Sequence, residues 1–263
     1  MPAQRARRHA PSVSAVLPAY NEEAVITETL RRTHAALAEL GAPAFEIIVV
    51  DDGSTDSTRR RCDEVAAALP AVRVLSHPTN RGYGAALRSG FEAARCDAIF
   101  LMDSDGQFDP ADIRLLLAQW TPRTVVCGCR ANRRDPLIRR LNHRVFFRLV
   151  AALFGPTAKD VNCAFKLFPR GLGQGLRADG ALVSTELLIE ARARGLRIVD
   201  TPVPHYPRLT GKPTGARPSV VLHAFAELWS LRRRLRHAGP PARPAPLAPK
   251  AARGAATHPA KTA

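Results

Sequence analysis

Residues 45–54 read FEIIVVDDGS and residues 98–105 read AIFLMDSD. Each is a short apolar run, typical of a strand buried on both faces of a sheet, that ends in aspartates. Open α/β folds bind their ligands at the carboxyl ends of such strands. The two runs therefore predict an acidic ligand site at one edge of a sheet. Because carboxylates two residues apart suit a hard cation better than a packed core, we expect Mg²⁺ or Mn²⁺ there, shared with substrate phosphates.

Extended and helical patterns alternate around these two runs. Further strands are predicted at 12–18, 72–75 and 124–127, and helices at 22–40, 56–69, 82–94 and 109–120. This alternation predicts an α/β fold with a mainly parallel, Rossmann-like sheet covered by helices on both faces. After residue 130 the alternation breaks. A helical extension is predicted there, with helices at 136–154, 184–194 and 219–237 and a strand at 196–203.

The net charge of +16 is concentrated at the two ends of the chain. Residues 1–11 carry three arginines and residues 232–263 carry eight basic residues, with no acid in either segment, which leaves +5 for residues 12–231. The basic N-terminus and the Pro- and Ala-rich tail at 239–263 are predicted to be disordered. Such tails are either solvated or contact nucleic acid or anionic lipid. Motifs of DNA- or RNA-binding modules are missing, so no specific nucleic-acid partner is expected.

The apolar segments and the cysteines predict a cytoplasmic protein. The five cysteines lack a metal-binding spacing and are interpreted as small apolar residues in a reducing compartment. No apolar segment follows the N-terminal arginines as in a signal peptide, and no run approaches the ~20 apolar residues of a membrane span. Membrane contact would therefore be peripheral. The helix at 137–154 has arginines beside an apolar face, which suits either a membrane surface or an ordinary covering helix with a solvated face.

Four motifs occur in an order that resembles the family 2 glycosyltransferases of GT-A fold. They read PAYNEE at 18–23, VDDGS at 50–54, NRGYG at 80–84 and DSDGQ at 103–107, and the match is extended by VNCAFKLF at 161–168 and PRLTG at 207–211. The chain is most similar to the dolichol-phosphate mannose synthase, or polyprenyl-phosphate glycosyltransferase, branch over residues 12–230. The resemblance implies a nucleotide-sugar-binding half at 12–130 and an acceptor-side half with amphipathic helices at 131–238.

The resemblance also implies the residues that hold the donor. The nucleoside contacts would be Pro18, Tyr20, Glu22 and Asp52, with Arg81, Gly82, Gly84 and Ser104 near the nucleotide. Asp105 would be the main metal ligand, Asp103 would contact the ribose or the metal, and Gln107 would complete the site. The Mg²⁺ or Mn²⁺ ion would neutralise the departing diphosphate. Taken alone, the first motif could be a capped strand-to-helix turn and the glycines could serve only a turn, while Asp51 is expected to tie its loop down.

The implied acceptor is a lipid phosphate that attacks the anomeric carbon with inversion. Such a nucleophile is already anionic and needs cationic partners rather than a strong base, and arginine forks match phosphate geometry. The resemblance points to Arg130, Arg208 and Arg140, with Arg139 as the alternative register for the last. Each arginine could equally be a surface charge. The synthases carry a serine-lysine pair after the glycine, whereas this chain has Gly211-Lys212-Pro213, which leaves the acceptor identity open.

Glu186 lies where other inverting members place a catalytic base. It could deprotonate a hydroxyl acceptor or hold an arginine of the acceptor site. The leading hypothesis is an inverting, metal-dependent transferase that moves a hexose from a GDP- or UDP-linked sugar to polyprenyl or dolichyl phosphate at the cytoplasmic membrane face. The alternatives are transfer to a hydroxyl of a glycan, small molecule or peptide and, more distantly, a basic nucleic-acid-binding protein. The sequence identifies no partner membrane protein.

Overall fold

The computed structural model describes residues 10–130, 148, 150–155, 157–178, 180, 182–207 and 232–233. The tail predicted at 239–263, nearly all of the N-terminal segment, and most of the helices predicted at 136–154 and 219–237 lie outside these residues. No helix within the described part of the chain is long and apolar enough to cross a membrane.

A twisted, mainly parallel sheet organises the described residues. Its strands are β1 (Val13–Ala19), β2 (Phe45–Asp51), β3 (Val72–Ser76), β4 (Ala98–Met102), β5 (Thr124–Arg130), β6 (Phe165–Pro169) and β7 (Arg197–Val203). The seven strands lie in the order β3-β2-β1-β4-β6-β5-β7. Strand β6 runs antiparallel to β4 and β5, while the other neighbouring pairs are parallel. The predicted α/β architecture is confirmed.

Helices cover both faces of the sheet. They are α1 (Ile26–Glu39), α2 (Thr58–Ala68), α3 (Tyr83–Ala93), a 3₁₀ turn (Pro110–Asp112), α4 (Ile113–Leu117), α5 (residues 150–154), α6 (Arg170–Gly173) and α7 (Val183–Ala193). Helices α1, α2 and α4 pack on one face, and α3, α5, α6 and α7 pack on the other. The helix predicted to reach Trp120 ends at Leu117, although Asp109 caps its start as expected, accepting from the Ala111 amide at 3.0 Å.

The apolar run in β2 shows why the strands are buried on both sides. Ile48 and Val50 pack into the core with α3, whereas Ile47 and Val49 pack into the opposite core with α1. All four side chains are fully buried. Since each such side chain contributes about 1.5–3 kcal/mol on burial, the strand is held firmly from both faces.

The sequence pattern missed β6 and the short α6. A lysine interrupts the apolar run of β6: Lys166 is fully buried, and its ammonium donates to the carbonyl of Cys163. In addition, β6 is antiparallel to its neighbours, so it falls outside the strand-helix alternation that identified the others.

The strand directions place many loops at one edge. The carboxyl ends of β1, β2, β4, β5 and β7 and the start of β6 share this edge. Helix α3 starts near this edge because it follows β3, which is parallel to β2, and Gly90 lets the helix lie close to β1. A Cβ atom at Gly90 would fall 2.4 Å from a methyl carbon of Val16. We call this edge the carboxyl edge and the opposite one the amino edge.

Candidate active site at the carboxyl edge

The loops after β1 and β2 are tied to each other. Asn21 adopts a left-handed backbone (φ 55°), which asparagine tolerates better than most residues. Its side-chain oxygen accepts from the Thr55 amide at 2.8 Å, and its own amide donates to Ser54 Oγ at 3.0 Å. The Glu22 amide donates to Thr58 Oγ1 at 2.8 Å. These bonds bring the motif at 18–23 against the motif at 50–54.

Two of the predicted nucleoside contacts in the first motif, Pro18 and Tyr20, differ in exposure. The Pro18 side chain is buried and its carbonyl oxygen accepts from Ser104 Oγ at 2.7 Å, which joins the end of β4 to β1. Tyr20 is 44% exposed, so its ring is available to a ligand at the edge. Asp51 ties its loop as expected, since its side chain accepts from the Ser54 amide at 3.1 Å.

Asp52 holds the loop that precedes α3. It is 3% exposed, and its two oxygens accept from the amides of Arg81 at 2.9 Å and Gly82 at 2.8 Å. The ring nitrogen Nδ1 of His77 lies 2.6 Å from the same carboxylate. Asp52 was predicted to contact the nucleoside, and the structure places it beneath the loop that carries Arg81.

The same loop reaches the second acidic motif. Tyr83 is the first residue of α3, and its hydroxyl donates to Asp103 Oδ1 at 3.0 Å. Tyr83 is 37% exposed as a whole, but desolvation of its hydroxyl and the negative charge of Asp103 raise its pKa above the usual value, so the phenol remains a donor at neutral pH. Gly82 supplies the positive φ (93°) that turns the chain into the helix, and Gly84 is buried in the first turn. The amino end of a helix binds anions favourably. The amino end of α3 lies between Asp52, which follows β2, and Asp103, which follows β4.

The predicted metal ligands lie together after β4. Asp105 is 4% exposed and accepts from the Gln107 amide at 3.0 Å. The Gln107 side-chain NH₂ donates to the Tyr206 carbonyl at 3.2 Å, which leaves its oxygen as the atom available to a cation. Asp103, two residues before Asp105, is partly exposed.

These donors fit a cation that shares its coordination with a substrate. Among the residues that the structure describes, no group of three or more His, Cys, Asp or Glu side chains could enclose a metal alone. Mg²⁺ is commonly held by one or two carboxylates together with substrate phosphates and water. The oxygens of Asp103, Asp105 and Gln107 match that partial set, and the amino end of α3 lies beside them for the phosphates.

The candidates predicted for the acceptor side have protein partners where the structure describes them. Arg130, at the end of β5, donates through Nε and Nη2 to both oxygens of Asp160, at 2.7 and 2.9 Å. Glu186, in the first turn of α7, accepts from the amides of Arg177 and Ala178 at 2.9 and 2.7 Å. Each contact fixes a loop near the edge. Arg140, Arg139 and Arg208 lie outside the described residues.

Sequence reasoning missed several polar residues at this edge. His77 follows β3, and His205 follows β7 and contacts the ring of Phe108 edge-on at 5.1 Å. The amide of Tyr206 donates to the Gln107 carbonyl at 2.9 Å, so the segment after β7 pairs with the metal motif. Asp160 was missed as the partner of Arg130. Polar or aromatic residues directly after each strand would have been the signal.

Paired aspartates beside a helix amino terminus, at the carboxyl edge of a doubly covered sheet, form a site whose chemistry suits a diphosphate-bearing ligand that shares a cation. The comparisons identify the family. The family model "Glycosyl transferase family 2" matches residues 14–173, and the chain belongs to this family.

Several relatives are named as transferases to a lipid phosphate. The chain is 38% identical over 169 residues to an undecaprenyl-phosphate 4-deoxy-4-formamido-L-arabinose transferase of Pseudomonas paraeruginosa, covering 63% of this chain and 49% of the relative. A Klebsiella pneumoniae protein of the same name is 34% identical, over 76% of this chain and 61% of its own length. Glycosyltransferase AglD of Haloferax volcanii is 33% identical, over 74% and 33%. The chain thus spans about half the length of the first of these relatives.

Similar solved structures come from a different kind of transferase. Glucosyl-3-phosphoglycerate synthase from Mycobacterium tuberculosis, in complex with Mn²⁺, UDP-glucose and phosphoglyceric acid, has a TM-score of 0.67 at 25% identity, covering 85% of this chain and 80% of that chain. A complex of the same enzyme with Mn²⁺, UDP and phosphoglyceric acid has a TM-score of 0.66 at 26% identity, covering 84% and 78%. Both support the GT-A-like fold of this chain.

Proposed function

We propose that this chain is an inverting glycosyltransferase that moves a hexose from a nucleoside-diphosphate sugar to a polyprenyl phosphate. The observation that carries the proposal is the loop at 81–83, which is bonded to Asp52 at one end and to Asp103 at the other. It places a helix amino terminus and an exposed arginine beside a pair of carboxylates. That arrangement suits a diphosphate with a shared cation.

The donor would lie along the edge from β2 to β4. Tyr20 offers an exposed ring to the nucleoside, Glu22 offers a carboxylate to its hydroxyl or N–H groups, and Arg81 offers a cation to the diphosphate. The complexes of the similar structures with UDP and UDP-glucose favour a uridine donor.

A Mg²⁺ or Mn²⁺ ion held by Asp103, Asp105 and Gln107 would act as a Lewis acid toward the leaving diphosphate. The protein's own part is to orient these oxygens. Tyr83 donates to Asp103, and the Gln107 amide donates to Asp105, so both carboxylates are aligned by fixed N–H and O–H groups. The Mn²⁺ in complexes of similar structures supports this assignment.

The acceptor chemistry needs charge more than a base. A phosphate oxygen of the lipid attacks the anomeric carbon, the bond from that carbon to the diphosphate breaks, and the nucleoside diphosphate leaves with the electron pair. An anionic phosphate has no proton that must be removed, so cationic side chains suffice. We assign this role to Arg140 and Arg208. Arg130, paired with Asp160, holds the turn beneath the acceptor, and Glu186 holds the loop at 177–178 rather than acting as a base.

The proposal assigns donor binding to residues 12–130 and acceptor binding to residues 131–238. It also places the protein on the cytoplasmic face of a membrane as a peripheral protein, because the acceptor resides there. The relatives named for undecaprenyl phosphate support a lipid phosphate as the acceptor. The arginine-bearing segment at 137–154, predicted from the sequence to be an amphipathic helix, would be the contact surface.

A second candidate function is transfer to a hydroxyl of a small phosphorylated acceptor. It is favoured by the similar structures with phosphoglyceric acid. This chain covers 80% and 78% of the length of those chains, a larger share than it covers of the named relatives. Here Glu186 would have to act as general base, and the two amides that donate to its Oε2 would orient the carboxylate.

The deciding experiment is an acceptor screen that measures nucleoside-diphosphate release. Purified protein is given UDP-glucose or GDP-mannose with Mn²⁺, and undecaprenyl phosphate in vesicles, plain vesicles or 3-phosphoglycerate. Release that requires the lipid phosphate supports the proposal. Release that requires 3-phosphoglycerate and ignores the lipid would replace it with the second candidate, and a protein that binds neither UDP nor GDP in calorimetry would exclude both.

A further inference from the structure

A buried histidine lies next to the loop at 81–83 and has no role in the chemistry described above. His77 directly follows β3, and its side chain is 7% exposed. Its Nδ1 lies 2.6 Å from Asp52 Oδ1 and its Nε2 lies 2.9 Å from Ser89 Oγ on α3. Its backbone amide donates to the Asp51 carbonyl at 2.9 Å. Both ring nitrogens and the backbone are therefore engaged, and they connect β2, β3 and α3.

The loop that this array supports is confined from a second side. Gly53 packs directly on the backbone of the loop, since a Cβ atom there would lie 2.4 Å from the carbonyl carbon of Thr79. The next residues donate their amides to Asp52, through Arg81 at 2.9 Å and Gly82 at 2.8 Å. The position of the loop is thus set by close packing on Gly53 and by the orientation of the Asp52 carboxylate.

We propose that His77 is a positioning residue for donor binding. It braces the Asp52 carboxylate between β2 and Ser89, and Asp52 in turn fixes the Arg81–Gly82 backbone so that the Arg81 side chain and the amino end of α3 face the nucleotide. This inference rests on the proposed function for its ligand and deepens the account of that site.

The chemistry explains why an imidazole stands here. A carboxylate accepts only, so His77 must donate from Nδ1, and a ring can at the same time present Nε2 to a hydroxyl on its far side. Few side chains can hydrogen-bond two groups from opposite sides of one rigid ring. Asp52 is 3% exposed, and a buried acceptor that loses a donor is costly to leave unsatisfied. Without His77, the carboxylate would turn toward other donors and carry the loop with it.

Two substitutions of His77 distinguish its hydrogen bonds from its packing. His77→Phe keeps a ring of similar volume and removes both hydrogen bonds. His77→Asn places a side-chain N–H near the position of Nδ1, so it can still donate to Asp52 while losing Ser89. Ser14→Ala is the matched control, because Ser14 donates to Glu46, the buried carboxylate at the other end of β2, at 2.7 Å.

Donor kinetics give the first readout. We expect His77→Phe to raise the donor KM about tenfold with kcat within about twofold of the wild type, and His77→Asn to stay within about threefold of the wild-type KM. Ser14→Ala should lower the melting temperature and leave the donor KM unchanged. An unchanged KM in His77→Phe, or an equal rise in Ser14→Ala, would overturn the inference.

Amide hydrogen exchange gives a readout that needs no substrate. In His77→Phe the amides of Arg81 and Gly82 should exchange about tenfold faster or more, whereas the Arg95 amide, which donates to Glu46 at 2.7 Å, should not change. If the wild type binds neither UDP nor GDP, the proposed function fails, and exchange alone then decides whether His77 holds the loop. Equal exchange at Arg81 and Gly82 in both proteins would show that it does not.

Discussion

The two ends of β2 each hold a buried carboxylate, but the partners of the two carboxylates belong to different parts of the molecule. At the amino edge, Glu46 accepts from Ser14 of β1, from Arg73 of β3 and from the Arg95 amide that follows α3, each at 2.7 Å. At the carboxyl edge, Asp52 accepts from the Arg81 and Gly82 amides of a loop. Side chains of both neighbouring strands thus bind the acid at one end of β2, whereas consecutive amides of the loop before α3 bind the acid at the other.

This difference separates stability from function along a single strand. A carboxylate bonded to neighbouring strands stabilises the sheet and presents little to solvent. A carboxylate bonded to loop amides orders a loop that can then meet a ligand. Burial alone therefore does not distinguish a structural carboxylate from one that orders a functional loop. The identity of the hydrogen-bond partners does.

Loss of a carboxylate at the carboxyl edge should have the largest effect on activity. Asp105→Asn keeps the side-chain shape and removes the negative charge proposed to bind the cation, so we expect transfer to fall at least about 100-fold. Steady-state release of nucleoside diphosphate measures it. The matched variant is Asp97→Asn at the amino edge, where Asp97 accepts from Ser12 at 2.6 Å, and it should retain activity. Equal losses of activity in the two variants would contradict the proposed functional difference between the two edges.

The amino edge should respond in stability instead. Burial opposes the charge of Glu46, but hydrogen bonds from Ser14, the Arg95 amide and Arg73 outweigh it and lower the pKa of Glu46 below its usual 4.5. Glu46→Gln should therefore lower the free energy of unfolding by about 2 kcal/mol at pH 7. Urea denaturation measures this loss.

The pH dependence of that loss has a definite sign. Because the folded-state pKa of Glu46 is lowered, its stabilisation is present above pH 4.5 and is lost as the pH falls through the folded value. The gap between wild type and Glu46→Gln should shrink as the pH falls below 4.5. A gap that widens in acid, or a changed donor KM in the folded variant, would contradict the division of roles.

Local patterns predicted most of the fold. The runs that became β1, β2 and β4 are mainly apolar, as is typical of buried parallel strands. Strand β6 was missed because it is short, carries Lys166 as its second residue and runs antiparallel, outside the strand-helix alternation. Lys166 finds its acceptor, the Cys163 carbonyl, in the turn before the strand. Strand β5 also runs on to Arg130, beyond the predicted end at Cys127, because pairing with β7 continues there.

The site was predictable only in part. Parallel strands ending in aspartates were enough to bring Asp52, Asp103 and Asp105 to one edge. Their partners were not predictable, since a hydrogen bond across a loop depends on its three-dimensional path and leaves no period in the sequence. The bond from Asp52 to Gly82 spans 30 residues, and so does the pair of Arg130 with Asp160.

The hydroxyl of Tyr83 should contribute a smaller effect at the carboxyl edge. Tyr83→Phe removes the donor to Asp103 and keeps the ring, so one hydrogen bond to a carboxylate is lost. We expect kcat/KM to fall roughly fivefold, which corresponds to about 1 kcal/mol. Measuring kcat/KM across a Mn²⁺ titration is informative, because a misaligned Asp103 should raise the concentration of metal required. An unchanged metal requirement would remove Tyr83 from the site.

A solvent-exposed charged pair on α2 should have the smallest effect. Arg60 and Glu64 lie one turn apart on α2 at 2.6 Å, with side chains 66% and 58% exposed. Exposed pairs of this kind contribute less than about 0.5 kcal/mol and are screened by salt. Arg60→Gln should therefore change the free energy of unfolding by no more than that, with activity unaltered and the difference absent in 1 M salt. A loss as large as that of Glu46→Gln would mean that charge pairing in general stabilises this protein, and the partners at the two ends of β2 would no longer explain the contrast between them.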